Sequence, residues 1–557
     1  MAKKIIIVGG VAGGATAAAR LRRLSEEDEI IMIEKGEYIS FANCGLPYYI
    51  GDVITNRDSL LVQTVEGMSK KFNLEIRNLS EAIGIDRENR TLAIKDLRTG
   101  DVYNESFDRL ILSPGARPIV PPFEGLQEAN HVFTLRSVPD TDQIKAWVDN
   151  KQPEKAVVIG GGFIGLEMAE NLVHRGVEVT LVELGNQVMA PLDYEMASLV
   201  HKELVDKGVQ LILEDGVKSF EDEGKTIVLD SGTKLSSDLT ILAIGVRPEN
   251  ELAVQAGLEV GKRGGIIVNE HLQTEDPDIY AIGDAIEVKD YIQHVPTMVP
   301  LAWPANRQGR LVADHIHGKG VSYKGTLGTS VAKVFDLTVA ATGNNEKVLS
   351  RLGIASEVVH IHPASNATYY PGGQPLALKL IFEPETGKLF GAQAVGYEGV
   401  EKRIDVIATA IKGGLNVADL ADLELAYAPP YSSAKDPVNM AGYVASNIVD
   451  GEVNIVHYHE IDRIIEQGGL LVDVREPEER EIGFIPGSIN IPLGDLRNRI
   501  EELPKDQTIY ITCQAGLRGY LATRILNHNG YESSNLSGGY KTYQAGKCVW
   551  KENVVQS

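Results

Sequence analysis

Cysteine is scarce in this chain: three in 557 residues, at Cys44, Cys513 and Cys548. A set that is odd in number and widely scattered is no disulfide framework, and it suits a reducing compartment. No stretch offers about 18 predominantly apolar residues, so none reads as a membrane span. The first apolar residues lead straight into a glycine turn, not into the long apolar run and cleavage site of a signal peptide. The expected location is the cytoplasm. Positive charge is also short. Lys and Arg number 54 against 77 Asp and Glu, a net charge of −23 spread along the chain. Such a protein repels phosphate backbones and anionic lipid, which makes nucleic acid and membrane surfaces poor partners. The hydrophobic share of 43% and the 56 glycines are those of an ordinary α/β protein. Length divided by ~150 gives three to four domains. A chain of this size buries its cores without a staple, and no metal site is expected.

What is present begins at once. Residues 4–8, KIIIV, read as a buried parallel strand. Gly9, Gly10, Gly13 and Gly14 follow, then the helix former ATAAARLRRL, then a strand from Ile30 to Ile33 that ends at Glu34. This is the βαβ dinucleotide fingerprint with its acidic residue in place. The pattern returns at 156–183. There AVVIG leads into Gly160, Gly162 and Gly165, then the helix LEMAENLVHRG, then the strand VEVTLVE ending at Glu183. Glycine lets the backbone approach a pyrophosphate, whose charge then rests on a helix N-terminus, while the carboxylate accepts hydrogen bonds from a ribose. Val11 stands where the first copy would have its middle glycine, so that turn is shaped differently. Two fingerprints imply one resident and one exchanging dinucleotide. At the second, Glu183 bonds a 2′-hydroxyl and repels a 2′-phosphate, and Leu184, Gly185 and Asn186 bring no cation. NADH is expected over NADPH.

Three further segments support the pair. FDRLILSPGARP (107–118, with Gly115) and LTILAIGVRPEN (239–250) are buried strands ending in a glycine turn with a basic residue, and IYAIGDA (279–285) puts Asp284 after a strand and a glycine turn. The set resembles the flavoprotein disulfide reductases that bind two dinucleotides. That resemblance implies FAD at the first fingerprint, with Glu34, Gly115 and Asp284, and the nicotinamide cofactor at the second, with Glu183.

Cys44 lies in YISFANCGLPYYIGD, directly after the first fingerprint. Asn43 and Gly45 flank it, and Pro47 is expected to break any continuing helix. Relatives with a redox disulfide carry a second cysteine five residues on; here that residue is Tyr49. The oxidised partner of Cys44 must then come from outside, as a mixed disulfide, a persulfide or a sulfenic acid. SFANCGLPYY and the GGVAGG turn resemble the single-cysteine branch of these reductases, represented by the coenzyme A-disulfide reductases, and Ala12 takes the place of the histidine that marks peroxidase members of the wider family. HPASNATYYPGG (362–373) and YAPPYSSAKDPVN (427–439) continue the resemblance. It implies a homodimer in which Tyr369 and Tyr427 reach the partner's cysteine, where a phenol can protonate a leaving thiolate. It also implies coenzyme A as ligand or substrate, held at Thr16, Arg20, Arg23, Ser40, Asn43 and Lys435. A 3′-phospho-ADP calls for a locally basic site, and Lys71, Asn306 and Arg307 are added on that ground.

After residue 457 the pattern changes. LLVDVREPEERE (470–481), IPGSINIPL, TIYITC, the loop Cys513-Gln-Ala-Gly-Leu-Arg518, YLATRILNHNGY and NLSGGYKTY resemble a rhodanese, or sulfurtransferase, domain. Six residues between a strand and a helix let backbone N–H groups converge on the sulfur, which lowers the thiol pKa and stabilises an anionic persulfide. Arg518 adds a fixed positive charge. Phosphatases on this scaffold have one more loop residue, for a larger anion. Cys548 has no such setting.

The expected fold is therefore α/β: two Rossmann-like dinucleotide-binding domains, an α+β dimerisation domain and a C-terminal α/β rhodanese domain. The expected extents are 1–148 with 238–325 for FAD, 149–237 for NADH, 326–445 for dimerisation, 446–457 for a linker and 458–557 for the rhodanese unit. The expected activity is NADH-dependent reduction, through FAD and Cys44, of the S–S bond of coenzyme A persulfide or disulfide. Cys513 would exchange sulfur with a persulfide or polysulfide donor. The alternatives are an NADH oxidase with a cysteine sulfenic acid, in which the rhodanese unit is unexplained, and a flavin-based redox or sulfide sensor.

Overall fold

The structure is a computed structural model that describes residues 2–548. The chain forms two compact units. One runs from the N-terminus through Leu184 and takes in Asp215–Gly328; the other combines Gly185–Glu214 with the chain from Thr329 onward.

In the first unit the β-branched run Lys4–Val8 is the middle strand of a parallel sheet ordered Ile279–Ala281, Arg109–Leu112, Lys4–Val8, Glu29–Ile33, Glu75–Arg77. Ile5, Ile6 and Ile7 are fully buried, as a strand covered on both faces requires. Helix Ala12–Arg22 leaves the end of that strand and lies against helix Ala302–Ile316. Their closest approach needs Gly309, whose Cβ would stand 2.4 Å from the Gly13 carbonyl oxygen. A second parallel sheet sets Lys155–Ile159 between Glu178–Glu183 and Leu239–Leu242, with Val132–Phe133 beyond. The chain enters and leaves this sheet side by side, where the Asp238 carboxylate accepts the N–H groups of Glu154 and Lys155 at 3.1 and 3.0 Å.

The second unit holds an antiparallel sheet ordered Ser330–Val334, Leu337–Gly343, Leu389–Gly396, Leu376–Phe382, Glu357–Ile361. A parallel sheet follows, ordered Asn454–Val456, Ser533–Leu536, Ile509–Thr512, Leu470–Asp473, Ile489–Asn490. On strand Leu376–Phe382 of the antiparallel sheet, Lys379 is 0% exposed. Its ammonium lies 2.9 Å from Asp193 and 2.5 Å from Glu195 and also pairs with Glu346. These three carboxylates are close enough to chelate a metal ion, and the lysine occupies that position. The paired charges settle the titration: the carboxylates hold Lys379 up, and Lys379 with His360 holds Glu195 well below the carboxylate range, both against the cost of burial.

The α/β architecture read from the sequence is the one the chain adopts. One local expectation is corrected. Pro47 does not break a helix; it sits in the first turn of helix Leu46–Ile50. An N–H at that position has no partner within the helix, so proline loses nothing there.

Candidate active site

Both glycine turns are built alike, so the difference in shape expected at Val11 does not appear: Val11 and the matching Gly162 hold φ values of −95° and −80°, which a residue with a side chain adopts freely. Gly9 and Gly160 carry φ values of +97° and +106°. The third glycine of each motif, Gly14 or Gly165, brings its Cα so near the first that an added Cβ would lie 1.9 Å from the Gly9 or Gly160 carbonyl oxygen. The strand-end carboxylates bond back to the turns: Glu34 accepts the Gly10 N–H at 2.8 Å, and Glu183 accepts the Gly161 N–H at 2.7 Å. Burial pushes the Glu34 carboxyl up, against the N–H groups of Gly36 and Gly10. The helices that follow, Ala12–Arg22 and Phe163–His174, have no side-chain cap and no acidic residue in the first turn. Their leading N–H groups face the turns without a competing side-chain anion, which fits a pyrophosphate at each. Gly13 and Gly162 lie in the same turns, Gly13 buried and Gly162 exposed.

Beside the first turn, Asp284 pairs with Arg136 at 2.9 Å, and Arg136 lies 3.3 Å from where a Gly115 Cβ would be. Cys44 belongs to the same neighbourhood. It sits in a short 3-10 turn, Asn43–Gly45, at the head of helix Leu46–Ile50, and it is exposed. Enough protein still surrounds the sulfur that burial, followed by the charge of Glu167, pushes its thiol up, while Arg136 pulls it down. Glu167 lies on the second fingerprint helix, which packs against the Cys44 helix. Burial and Glu170 push its carboxyl up to about 7, and burial with the same two carboxylates pushes Tyr48 up to about 12. Sequence reasoning missed Glu167 and Arg136. Glu167 stands two residues after the last fingerprint glycine and was legible as a carboxylate at a dinucleotide turn; Arg136 belongs to no motif.

The residues assigned to coenzyme A do not all stand free. Thr16 donates to Asn306 at 2.6 Å, and Arg20 grips Asp314 at 2.6 Å. Arg23, Lys71 and Arg307 are exposed, and Asn43 is half-buried. Ser40 holds a left-handed φ of +45° and donates its N–H to the Gly10 carbonyl at 2.9 Å. In the second unit Lys435 lies over the Tyr443 ring, and Tyr369 and Tyr427 share a short hydrogen bond between exposed phenols.

The second cysteine centre is also in that unit. Cys513 is 1% exposed, and Gly516 donates its N–H to the sulfur at 3.1 Å. The turn 537–541 braces the loop: Tyr540 donates to the Cys513 carbonyl at 2.7 Å and Lys541 to that of Gln514 at 3.1 Å. Arg475 ties Gln514 to Asp473. Arg518 does not stand open over the sulfur; Glu479 holds it in a two-bond fork at 2.6 and 2.7 Å.

Paired dinucleotide cradles beside an accessible lone cysteine define a nicotinamide-to-sulfur oxidoreductase scaffold, here with a second, buried cysteine in a separate loop. The chain belongs to the pyridine nucleotide-disulphide oxidoreductase family, whose model matches residues 3–303; the family's dimerisation domain matches 329–437 and a rhodanese-like domain 457–546. It is an FAD- and pyridine nucleotide-dependent enzyme. A coenzyme A disulfide reductase of Staphylococcus haemolyticus is 36% identical over 447 residues, which is 80% of this chain and 100% of that one. The crystal structure of reduced Bacillus anthracis CoADR-RHD is 63% identical with a TM-score of 0.97, covering 98% of each chain. An NAD-dependent persulfide reductase from A. fulgidus is 37% identical with a TM-score of 0.90, covering 97% of this chain and 100% of its own. Among the described residues no helix is long and apolar enough to cross a membrane.

Proposed function

We propose that this enzyme reduces sulfur–sulfur bonds on coenzyme A, both the persulfide and the disulfide, at Cys44, with Cys513 exchanging sulfane sulfur with a persulfide or polysulfide donor. One observation carries the reading: Cys44 is accessible and Tyr49 stands where a resolving cysteine would be. A lone thiol closes no internal disulfide, so the bond it works on arrives with the substrate. The Cys44 thiolate attacks that bond, releases hydrosulfide or a thiol, and is left as a mixed disulfide or persulfide. FAD, when bound, supplies the electron pair taken from NADH that restores the thiolate. Arg136 favours the thiolate and Glu167 opposes it. In a homodimer, Tyr369 and Tyr427 serve the partner subunit's Cys44, where a phenol protonates the departing thiolate. Coenzyme A lies along Thr16, Arg20, Arg23, Ser40, Asn43, Lys71, Asn306, Arg307 and Lys435. Arg20 is then shared between a phosphate and Asp314.

The test is NADH consumption under anaerobic conditions with coenzyme A persulfide and coenzyme A disulfide in parallel, hydrosulfide being quantified. Turnover of both, with hydrosulfide from the persulfide and loss of both in Cys44→Ser, supports the reading. Oxidation of NADH only when oxygen is admitted overturns it.

A further inference from the structure

The mouth around Cys513 has two features that general sulfur-transfer chemistry does not require. The first is electrostatic. Thiosulfate and other oxoanion donors expel a dianion, and a cation at the mouth must receive it. The two guanidinium groups that meet this loop are already committed. Arg518 is forked by Glu479, and Arg475 is 1% exposed, bonded to Asp473 at 2.8 Å, to the Gly483 carbonyl at 2.8 Å and to Gln514 at 2.9 Å. The second feature is apolar. Leu517, the first residue of helix Leu517–His528, is 62% exposed, and Leu521, one turn along it, 45%. Across the Arg518–Glu479 fork, helix Pro477–Ile482 ends in Ile482 at 91%, followed by Phe484 at 48%. The Gln514–Arg475–Gly483 chain of hydrogen bonds fixes these two residues beside the loop. Large apolar side chains are thus exposed on the two segments that the Arg518–Glu479 fork joins, one of which follows the buried nucleophile directly, beside a cation that is already neutralised; Arg480 stacks on the Phe484 ring at 4.5 Å.

We propose that Glu479 is a positioning residue that makes Cys513 selective for organic persulfides over oxoanion donors: it withholds Arg518 from a leaving dianion, while Leu517, Leu521, Ile482 and Phe484 seat the neutral stem of an alkyl persulfide. This rests on the sulfur-carrying role proposed for Cys513. The Cys513 thiolate attacks the outer sulfur of R–S–SH, the S–S bond of the donor breaks, and R–S⁻ leaves. The product is Cys513–S–SH, with the proton retained on the transferred sulfur. Charge and atoms balance, and no net oxidant is required. With thiosulfate the same attack expels sulfite, whose two charges meet the Glu479 carboxylate.

The experiment uses the full-length holoenzyme without NADH, offered coenzyme A persulfide or thiosulfate. Persulfide at Cys513 is trapped by alkylation and counted by peptide mass, so the readout does not depend on turnover at Cys44. The wild type should load from coenzyme A persulfide at least about tenfold faster than from thiosulfate, and Glu479→Gln should raise the thiosulfate rate by about tenfold. Glu479→Asp should restore the wild-type ratio. Leu517→Ser with Ile482→Ser should slow loading from the organic persulfide and leave the thiosulfate rate alone, a pattern that a general loss of folding does not give. Equal loading from both donors in the wild type, or a ratio unmoved by Glu479→Gln, overturns the proposal while the carrier role stands. No persulfide at Cys513 from either donor overturns the carrier role and the proposal with it.

Discussion

Glu357 and His457 meet 2.8 Å apart, carboxylate to ring Nε2, and join the edge strand of the antiparallel sheet to the N-cap of helix Tyr458–Glu466. They belong to a seam between the two sheets of the second unit. His360 donates its backbone N–H to Ser537 at 3.2 Å and meets Glu195 at 2.9 Å through its ring, and the His362 ring meets Thr542 at 2.8 Å. Ser537 begins the turn that braces the Cys513 loop, and Thr542 directly follows it. The sulfur loop is thus fastened to the sheet through histidines.

The first prediction concerns pH. Burial opposes the charged His457 ring, but Glu357 outweighs it and leaves the ring above its ordinary value; His457 in turn holds Glu357 below its own. The stability from His457 is fully present below the ordinary histidine value and is lost as pH rises through the raised folded value. That from Glu357 is lost as pH falls through its lowered one. His362, which burial pushes down to about 3, acts in the opposite sense to His457: stability falls as pH drops from the ordinary histidine value towards 3. His457→Gln should therefore cost about 1–3 kcal/mol near pH 6, and the gap from wild type should close at higher pH. Thermal unfolding of both proteins across pH checks it; a gap that widens as pH rises sinks the assignment.

Glu167 sets the second. Ionised, it makes the Cys44 thiolate harder to form. Glu167→Gln removes that charge, so the pH profile of Cys44 alkylation should move to lower pH by about half a unit to one unit. Iodoacetamide kinetics with mass analysis of the Cys44 peptide give the profile directly. A shift to higher pH would mean that Glu167 supports the thiolate through a contact made in solution.

The strand–turn–helix units were legible because parallel strands buried on both faces are spelled as β-branched runs closed by glycine, at 4–8 and 155–160 alike. The Cys513 loop was legible from the strand before it and the helix after it, although only four residues, 513–516, lie between them and Arg518 already belongs to the helix. Long-range partners were not. Nothing near Arg518 in the sequence says that Glu479, 39 residues earlier, closes a fork on it, and Arg136 reaches Asp284 across 148 residues. Pro47 was misread because a proline that ends one helix and a proline that opens another look the same until the preceding backbone is known.

Cofactor preference follows from Glu183. The wild type should favour NADH in kcat/KM, and Glu183→Ala should narrow the preference by about tenfold. Leu184, next in the chain and exposed, offers a place for a cation: Glu183→Ala with Leu184→Arg should turn the preference towards NADPH. Steady-state kinetics with both cofactors decide. A wild type that prefers NADPH would remove the ribose role from Glu183.

The two cradles should fail separately. In Gly14→Ala the new methyl would stand 1.9 Å from the Gly9 carbonyl oxygen, so the first turn must open. The protein should lose bound flavin, read as loss of its visible absorbance on purification. Gly165→Ala creates the same 1.9 Å collision with Gly160 in the second turn. Here flavin should be retained while KM for NADH rises at least about tenfold, since the strain falls on the exchanging cofactor alone. The paired design matters because either variant by itself could be a folding defect. Opposite phenotypes, each keeping the other cofactor, require two intact and independent cradles. The reverse pattern, flavin lost from Gly165→Ala and kept by Gly14→Ala, would exchange the two assignments, and with them the side from which electrons approach Cys44.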